Sequence, residues 1–145
     1  MVVWVYTMGR VEVDLSKCSG CLICVQVCAL THFKEQNTTK SAIRIFTDYF
    51  PNTIRRSYVV CHQCGEKAPC IVACPTGALI WKGDHVELVK EKCISCKNCE
   101  VACPYGAVFF NPDYKYPIIC DMCTSIDGVP QCAKFCPMGA IRIIK

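Results

Sequence analysis

The sequence predicts an α+β fold of short β-hairpins and short helices, with one such unit used twice. Three observations lead there. All 16 cysteines of the 145-residue chain fall into four groups of four. Every group ends in Cys-x3-Cys, a step of about one helical turn that sets two thiols side by side. The stretch VEVDLSKCSGCLICVQVC (11–28) reads like VELVKEKCISCKNCEVAC (86–103): a Val-Glu strand, a lysine, then a compact cysteine run. The other two groups also match each other, expanded in the second gap and ending CPTGALI and CPMGAIR. The order compact, expanded, compact, expanded is a tandem duplication.

Group one is Cys18, Cys21, Cys24 and Cys28; group two is Cys61, Cys64, Cys70 and Cys74. Group three is Cys93, Cys96, Cys99 and Cys103; group four is Cys120, Cys123, Cys132 and Cys136. Disulfides suit small secreted chains, and the start MVVWVYTMGR has no basic n-region and no small-residue cleavage site. Zinc sites bring separate two-cysteine hooks onto one ion. Three cysteines in seven residues crowd an ion but suit a cube, each thiolate taking a different iron corner. The run C-x2-C-x2-C-x3-C is the bacterial iron–sulfur ligand pattern. Four cubes use sixteen thiolates, so the count closes without remainder. The expected cofactors are four [4Fe–4S] clusters, with the same sixteen cysteines as metal ligands.

By length the chain, 1–145, is a single domain. Four clusters leave roughly 36 residues to wrap each, below the size at which an apolar core usually suffices. The clusters must then serve as core and staples, and the metal-free chain is expected to be largely unfolded. The formal charge of +4 counts each cysteine as neutral. An oxidised cluster with four thiolates adds about −2, so four move the net to roughly −4. That argues against a nucleic-acid partner. No apolar run reaches the ~18 residues of a membrane span, and the expected location is cytoplasmic.

Along the chain, the apolar VVWVY reads as a core strand with Trp4 as a packing residue, and VEVDL as a second strand. Ala29 follows Cys28, so the first helix can run on through ALTHFKEQ. A cysteine-free insertion, 29–60, holds strand-like AIRIF and SYVV around TDYFPNTIRR. It reads as a lid over a cluster, or as a docking surface with Arg44, Arg55, Arg56, Tyr49 and Phe50 at its tip. In groups two to four, Pro75, Pro104 and Pro137 follow the last cysteine and end the helical turn; the Gly-Ala that follows is a tight corner into a strand. The 18 residues between Cys74 and Cys93 read as strand, Gly-Asp turn, strand. By the repeat, VEVDL then pairs with AIRII after group four. This favours a nested arrangement, groups two and three inside and one and four outside. Group three to group four is also a 16-residue spacing, so a sequential arrangement stays open. Trp81 reads as packing, and His62 as a surface imidazole or a donor to sulfur. His32 and His85 carry no signal. No catalytic constellation is present: no His-Glu pair, no phosphate-binding glycine loop, no activated serine or lysine.

Residues 61–111, with CPTGA and CPYGA, resemble a bacterial two-cluster ferredoxin. The whole chain resembles the four-cluster electron-transfer subunits of molybdenum and tungsten pterin oxidoreductases, whose members partner formate dehydrogenases and dimethyl sulfoxide reductases. The small size and CALTHF look most like the short subunit of some tungsten aldehyde:ferredoxin oxidoreductases. The resemblance implies an inner ferredoxin-like half, 61–111, and an outer half, 1–28 plus 112–145. It implies one cluster on Cys18, Cys21, Cys24 and Cys136, and a second on Cys61, Cys64, Cys70 and Cys103. A third takes Cys93, Cys96, Cys99 and Cys74, and a fourth Cys120, Cys123, Cys132 and Cys28. It implies a non-catalytic subunit relaying electrons between a pterin enzyme, aldehyde-oxidising in the nearest relatives, and a further redox subunit or further copies of itself. A free polyferredoxin shuttle and a zinc-stabilised structural module are the competing readings.

Overall fold

The computed structural model describes residues 9–144, so VVWVY and Trp4 lie outside the described residues. In chain order the elements are β1 (Arg10–Val13), α1 (Ile23–Phe33), β2 (Arg44–Phe50), β3 (Thr53–Val59), α2 (Pro69–Ala73), β4 (Leu79–Trp81), β5 (Val86–Leu88), α3 (Asn98–Ala102), β6 (Phe109–Phe110), β7 (Pro117–Ile118), α4 (Gln131–Phe135) and β8 (Ile141–Ile144). Among the described residues the strands form four two-stranded antiparallel sheets.

β1 pairs with β8 across the whole chain, with Val11 opposite Ile143 and Val13 opposite Ile141. The period-2 pattern drives this. Val11 and Val13 are buried while Arg10 and Glu12 face out. Glu12 lies opposite Arg142 and accepts its guanidinium hydrogen bond at 2.7 Å. β4 and β5 form the hairpin between groups two and three, with Leu79 opposite Leu88. Gly83 turns it at φ +94°, where a side chain would be strained. The two-residue pair β6–β7 between groups three and four was not legible as strand.

Two expectations need correction. α1 stops at Phe33 rather than running through Gln36, because Lys34 turns left-handed (φ +59°) and its N–H bonds back to Leu30 O at 2.9 Å. The insertion hairpin is longer than read: β2 and β3 are seven residues each, paired from Arg44–Val59 to Phe50–Thr53. Ala42, Ile43 and Val60, read as strand, are instead buried at its base.

The apolar interior comes in two parts. One gathers Val11, Val13, Val25, Ile43, Val60 and Ile141 with Cys24, Cys28 and Cys132. The other has only six buried side chains, two of them cysteines. α1 packs on α4, and α2 on α3. Trp81 is half-buried against the smaller core, as packing. Cores this small are marginal by apolar burial alone.

Candidate metal centres

The loops that carry the thiols share one backbone pattern. The residue two after each group's first cysteine is left-handed: Gly20, Gln63, Ser95 and Met122, at φ 76°, 49°, 60° and 58°. Two residues further on, Leu22, Gly65 and Lys97 are left-handed too; in group four the second such residue is Cys123 itself. For a non-glycine this conformation costs about 1–2 kcal/mol, and such outliers gather at functional sites. The return is a concave run of N–H groups, which attracts anions. The Gln63 N–H already points at Cys61 Sγ, 3.4 Å away.

The thiols gather in four sets. Cys18, Cys21, Cys24 and Cys136 line one hollow. Cys74, Cys93, Cys96 and Cys99 line a second. Cys28, Cys120, Cys123 and Cys132 line a third. The remaining four act on one another, the Cys61 thiol feeling Cys70, Cys64 and Cys103. In each set three cysteines come from one group and the fourth from a distant one. All sixteen are free thiols. Sets of four soft sulfur donors that share the Cys-x3-Cys turns suit iron–sulfur clusters.

Electrostatics point the same way. Burial, then repulsion from neighbouring thiols, pushes Cys24 and Cys99 up to about 11 and Cys61 up to about 12. Cys120 and Cys132 are driven up for the same reasons. Four thiolates cannot sit together there without a compensating cation, which bound iron supplies. Cys74 and Cys28 are exceptions, held below the ordinary thiol range in spite of burial.

The donors at the last cysteine of each group fall into two kinds. Cys74, Cys103 and Cys136 cap α2, α3 and α4 in extended conformation, and a proline follows each. The chain then turns at Gly77, Gly106 or Gly139, each at positive φ. That turn aims the N–H of Ala78, Ala107 and Ala140 back at the sulfur, at 3.2, 3.4 and 3.4 Å. So the Pro-x-Gly-Ala corner is a sulfur-donor device as well as a route into a strand. Cys28 lies inside α1 and has no such corner. His32 is its side-chain partner, with Ser41 and Ala42 of the insertion close beside it; the Ser41 hydroxyl itself donates to Ile43 O at 2.6 Å. His32 Nδ1 lies 3.0 Å from Cys28 O and 4.0 Å from its Sγ, and Nε2 lies 3.1 Å from Asp121 Oδ1. Sequence reading saw nothing in His32. The available clue was its place one helical turn after Cys28.

The insertion does lid work at its base. Ile45 lines the first hollow, and Ala42, Ile43 and Val60 line the third. Its tip exposes Tyr49, Phe50 and Ile54, with Arg55 over the Phe50 ring at 5.5 Å. Arg44 is not at the tip, contrary to expectation. It sits at the base, donating to Gly106 O and lying 4.3 Å over Phe109. Arg56 is half-buried, beside Gly20 of the first cysteine loop. His62 stacks on Tyr105 with ring centroids 3.7 Å apart. His85 is buried between Asp84 and Thr124. No helix among the described residues is long and apolar enough to cross a membrane.

A family model described as a 4Fe-4S dicluster domain matches residues 46–145. The chain belongs to that family, and it is a ferredoxin-like iron–sulfur electron-transfer protein. It is 35% identical to YsaA of Escherichia coli K12 over 138 residues, 89% of this chain and 85% of that protein. It is 33% identical to the electron transport protein HydN of E. coli K12 over 147 residues, 88% of this chain and 83% of that one. Its fold is shared by a chain of the active site complex BamBC of benzoyl coenzyme A reductase. There the TM-score is 0.52 and the identity 23%, over 94% of this chain and 78% of that chain.

Proposed function

We propose that the chain holds four [4Fe–4S] clusters and relays electrons between a catalytic molybdenum or tungsten pterin oxidoreductase and an acceptor, with no catalytic site of its own. The observation that carries this is the gathering of sixteen thiols into four sets of four. Ligation then follows the sets: Cys18, Cys21, Cys24 and Cys136; Cys61, Cys64, Cys70 and Cys103; Cys93, Cys96, Cys99 and Cys74; Cys120, Cys123, Cys132 and Cys28. The chain divides into a duplicated pair, an inner half 61–111 and an outer half 1–28 plus 112–145, with 29–60 inserted. The two small cores and the α1–α4 and α2–α3 packing support that division.

When bound, each cluster supplies one-electron chemistry. The chain's own part is spacing and tuning. Each Cys-x3-Cys turn holds thiols of two different sets, so α1 and α4 join the first and fourth clusters, and α2 and α3 the second and third. Cys120 is close enough to Cys61 for their charges to interact, and the Gln63 amide donates to Cys120 O at 2.8 Å. That contact links the pairs in the order first, fourth, second, third. The pterin partner rests on the likeness of the cysteine framework. Exposed Tyr49, Phe50 and Ile54 at the hairpin tip suit a docked subunit better than a free carrier.

The test is anaerobic isolation from the native source, with Fe, Zn, Mo and W counted per chain. About sixteen iron atoms (four per cluster) with co-purifying Mo or W is the expected result. Full iron without either metal favours a free polyferredoxin shuttle. Zinc in place of iron overturns the reading.

A further inference from the structure

Because α1 runs on past Cys28, it puts His32 one turn further along the same face. Every atom at hydrogen-bond distance from its two ring nitrogens is an acceptor. Nδ1 meets Cys28 O at 3.0 Å, with Cys28 Sγ at 4.0 Å, and Nε2 meets Asp121 Oδ1 at 3.1 Å. A bare ring nitrogen facing a carbonyl oxygen is repelled, so Nδ1 turns an N–H toward Cys28. Asp121 is itself anchored. Its Oδ1 accepts from the Cys123 N–H at 2.8 Å, and its Oδ2 from the Ser125 hydroxyl at 2.7 Å. The ring is thus clamped between a fixed carboxylate and a ligating cysteine. One of its nitrogens, an Asp121 oxygen and Cys123 Sγ lie within 4.8 Å of one another.

No other cysteine set has this arrangement among the described residues. The sulfurs of Cys74, Cys103 and Cys136 accept backbone N–H groups, and the Thr76 hydroxyl lies 3.7 Å from Cys74. Arg10 and Arg44 act on Cys64 and Cys103 only through space. A donor to a ligating sulfur withdraws electron density from it and favours the reduced cluster. At Cys28 that donor is an imidazole held in place by a carboxylate, where the other sets have backbone N–H groups and a threonine hydroxyl.

We propose that His32, held by Asp121, is a positioning residue that donates toward Cys28 and makes the cluster on Cys28, Cys120, Cys123 and Cys132 the first of the four to accept an electron. This rests on the four-cluster reading above. In the order first, fourth, second, third, the effect is an interior electron store between the two ends of the relay.

The experiment is an anaerobic redox titration of the iron-loaded full-length chain followed by electron paramagnetic resonance, comparing wild type, His32→Leu and His32→Gln. Iron is counted in each. With full iron, one midpoint of His32→Leu moves to a more negative potential, the other three stay, and that cluster is no longer reduced first. His32→Gln keeps an N–H donor on this face of α1, so the same midpoint moves by less. Unmoved midpoints at full iron overturn the role of His32. So do equal shifts in both variants, or shifts spread over several clusters. If His32→Leu loses iron, His32→Gln decides: a single negative shift supports the role and an unmoved set overturns it. A wild-type chain holding well under sixteen irons sinks the four-cluster reading instead, whatever the variants do.

Discussion

Helices α2, α3 and α4 are five residues each and stop at the last cysteine of their group, whereas α1 has eleven and carries Cys28 in its interior. All four hold the same Cys-x3-Cys step. What differs is the next residue: a proline in three groups, Ala29 in the first. Where proline stands, the chain leaves the helix and comes back with an alanine N–H for the sulfur. Where alanine stands, the helix continues and the donor has to come from elsewhere, from His32 on the next turn. The insertion also closes the hollow beside Cys28 with Ala42, Ile43 and Val60. One residue thus decides whether a ligating thiol is served by local backbone or by tertiary structure.

The largest expected effect abolishes the comparison. With cysteines making up so much of both cores, anaerobic removal of iron should erase the far-UV circular dichroism of all four helices together. A metal-free chain that kept its native spectrum would refute the idea that the clusters act as core.

Next comes the exchange of the two chain paths. Ala29→Pro puts a proline inside α1, at a fully buried site. It should cost about 3 kcal/mol or more and sharply lower the temperature at which cluster absorbance bleaches. Pro75→Ala, on an already turned chain, should cost no more than about 1 kcal/mol. Equal losses in the two variants would mean that the helix beyond Cys28 does not matter.

A smaller effect separates the lid from the loops. Gly20→Ala would set a Cβ 3.0 Å from Arg56 Nε at φ +76°, adding displacement of the Arg56 side chain to a backbone cost of about 1–2 kcal/mol. Gly65→Ala, at φ +94° with open space around it, carries the backbone cost alone. Thermal bleaching should therefore rank Gly20→Ala as the less stable; the reverse order would mean that the insertion does not press on the first cysteine loop.

The smallest effect is expected from Arg142→Ala. Its ion pair with Glu12 fastens β1 to β8, but the Arg142 side chain is 60% exposed, and exposed pairs contribute little. The bleaching temperature should barely move, and β1–β8 pairing should survive on Val11, Val13, Ile141 and Ile143.

Much of this molecule was open to reading because its strongest signals are local. Three thiols within seven residues fix the kind of metal group they can hold. A proline after the last cysteine ends a helix by steric clash. Two copies of one pattern told which distant strands meet, and β1 does pair with β8. Other features depend on groups far apart in the chain, and spacing could not supply them. His32 gains its place only when folding brings Asp121, 89 residues away, against its ring. Arg44 turns inward only because Gly106 O and Phe109 await it. Which distant cysteine completes each set is decided by helix packing, α1 on α4 and α2 on α3, because a single thiol at the end of a helical turn can face either of two neighbouring hollows.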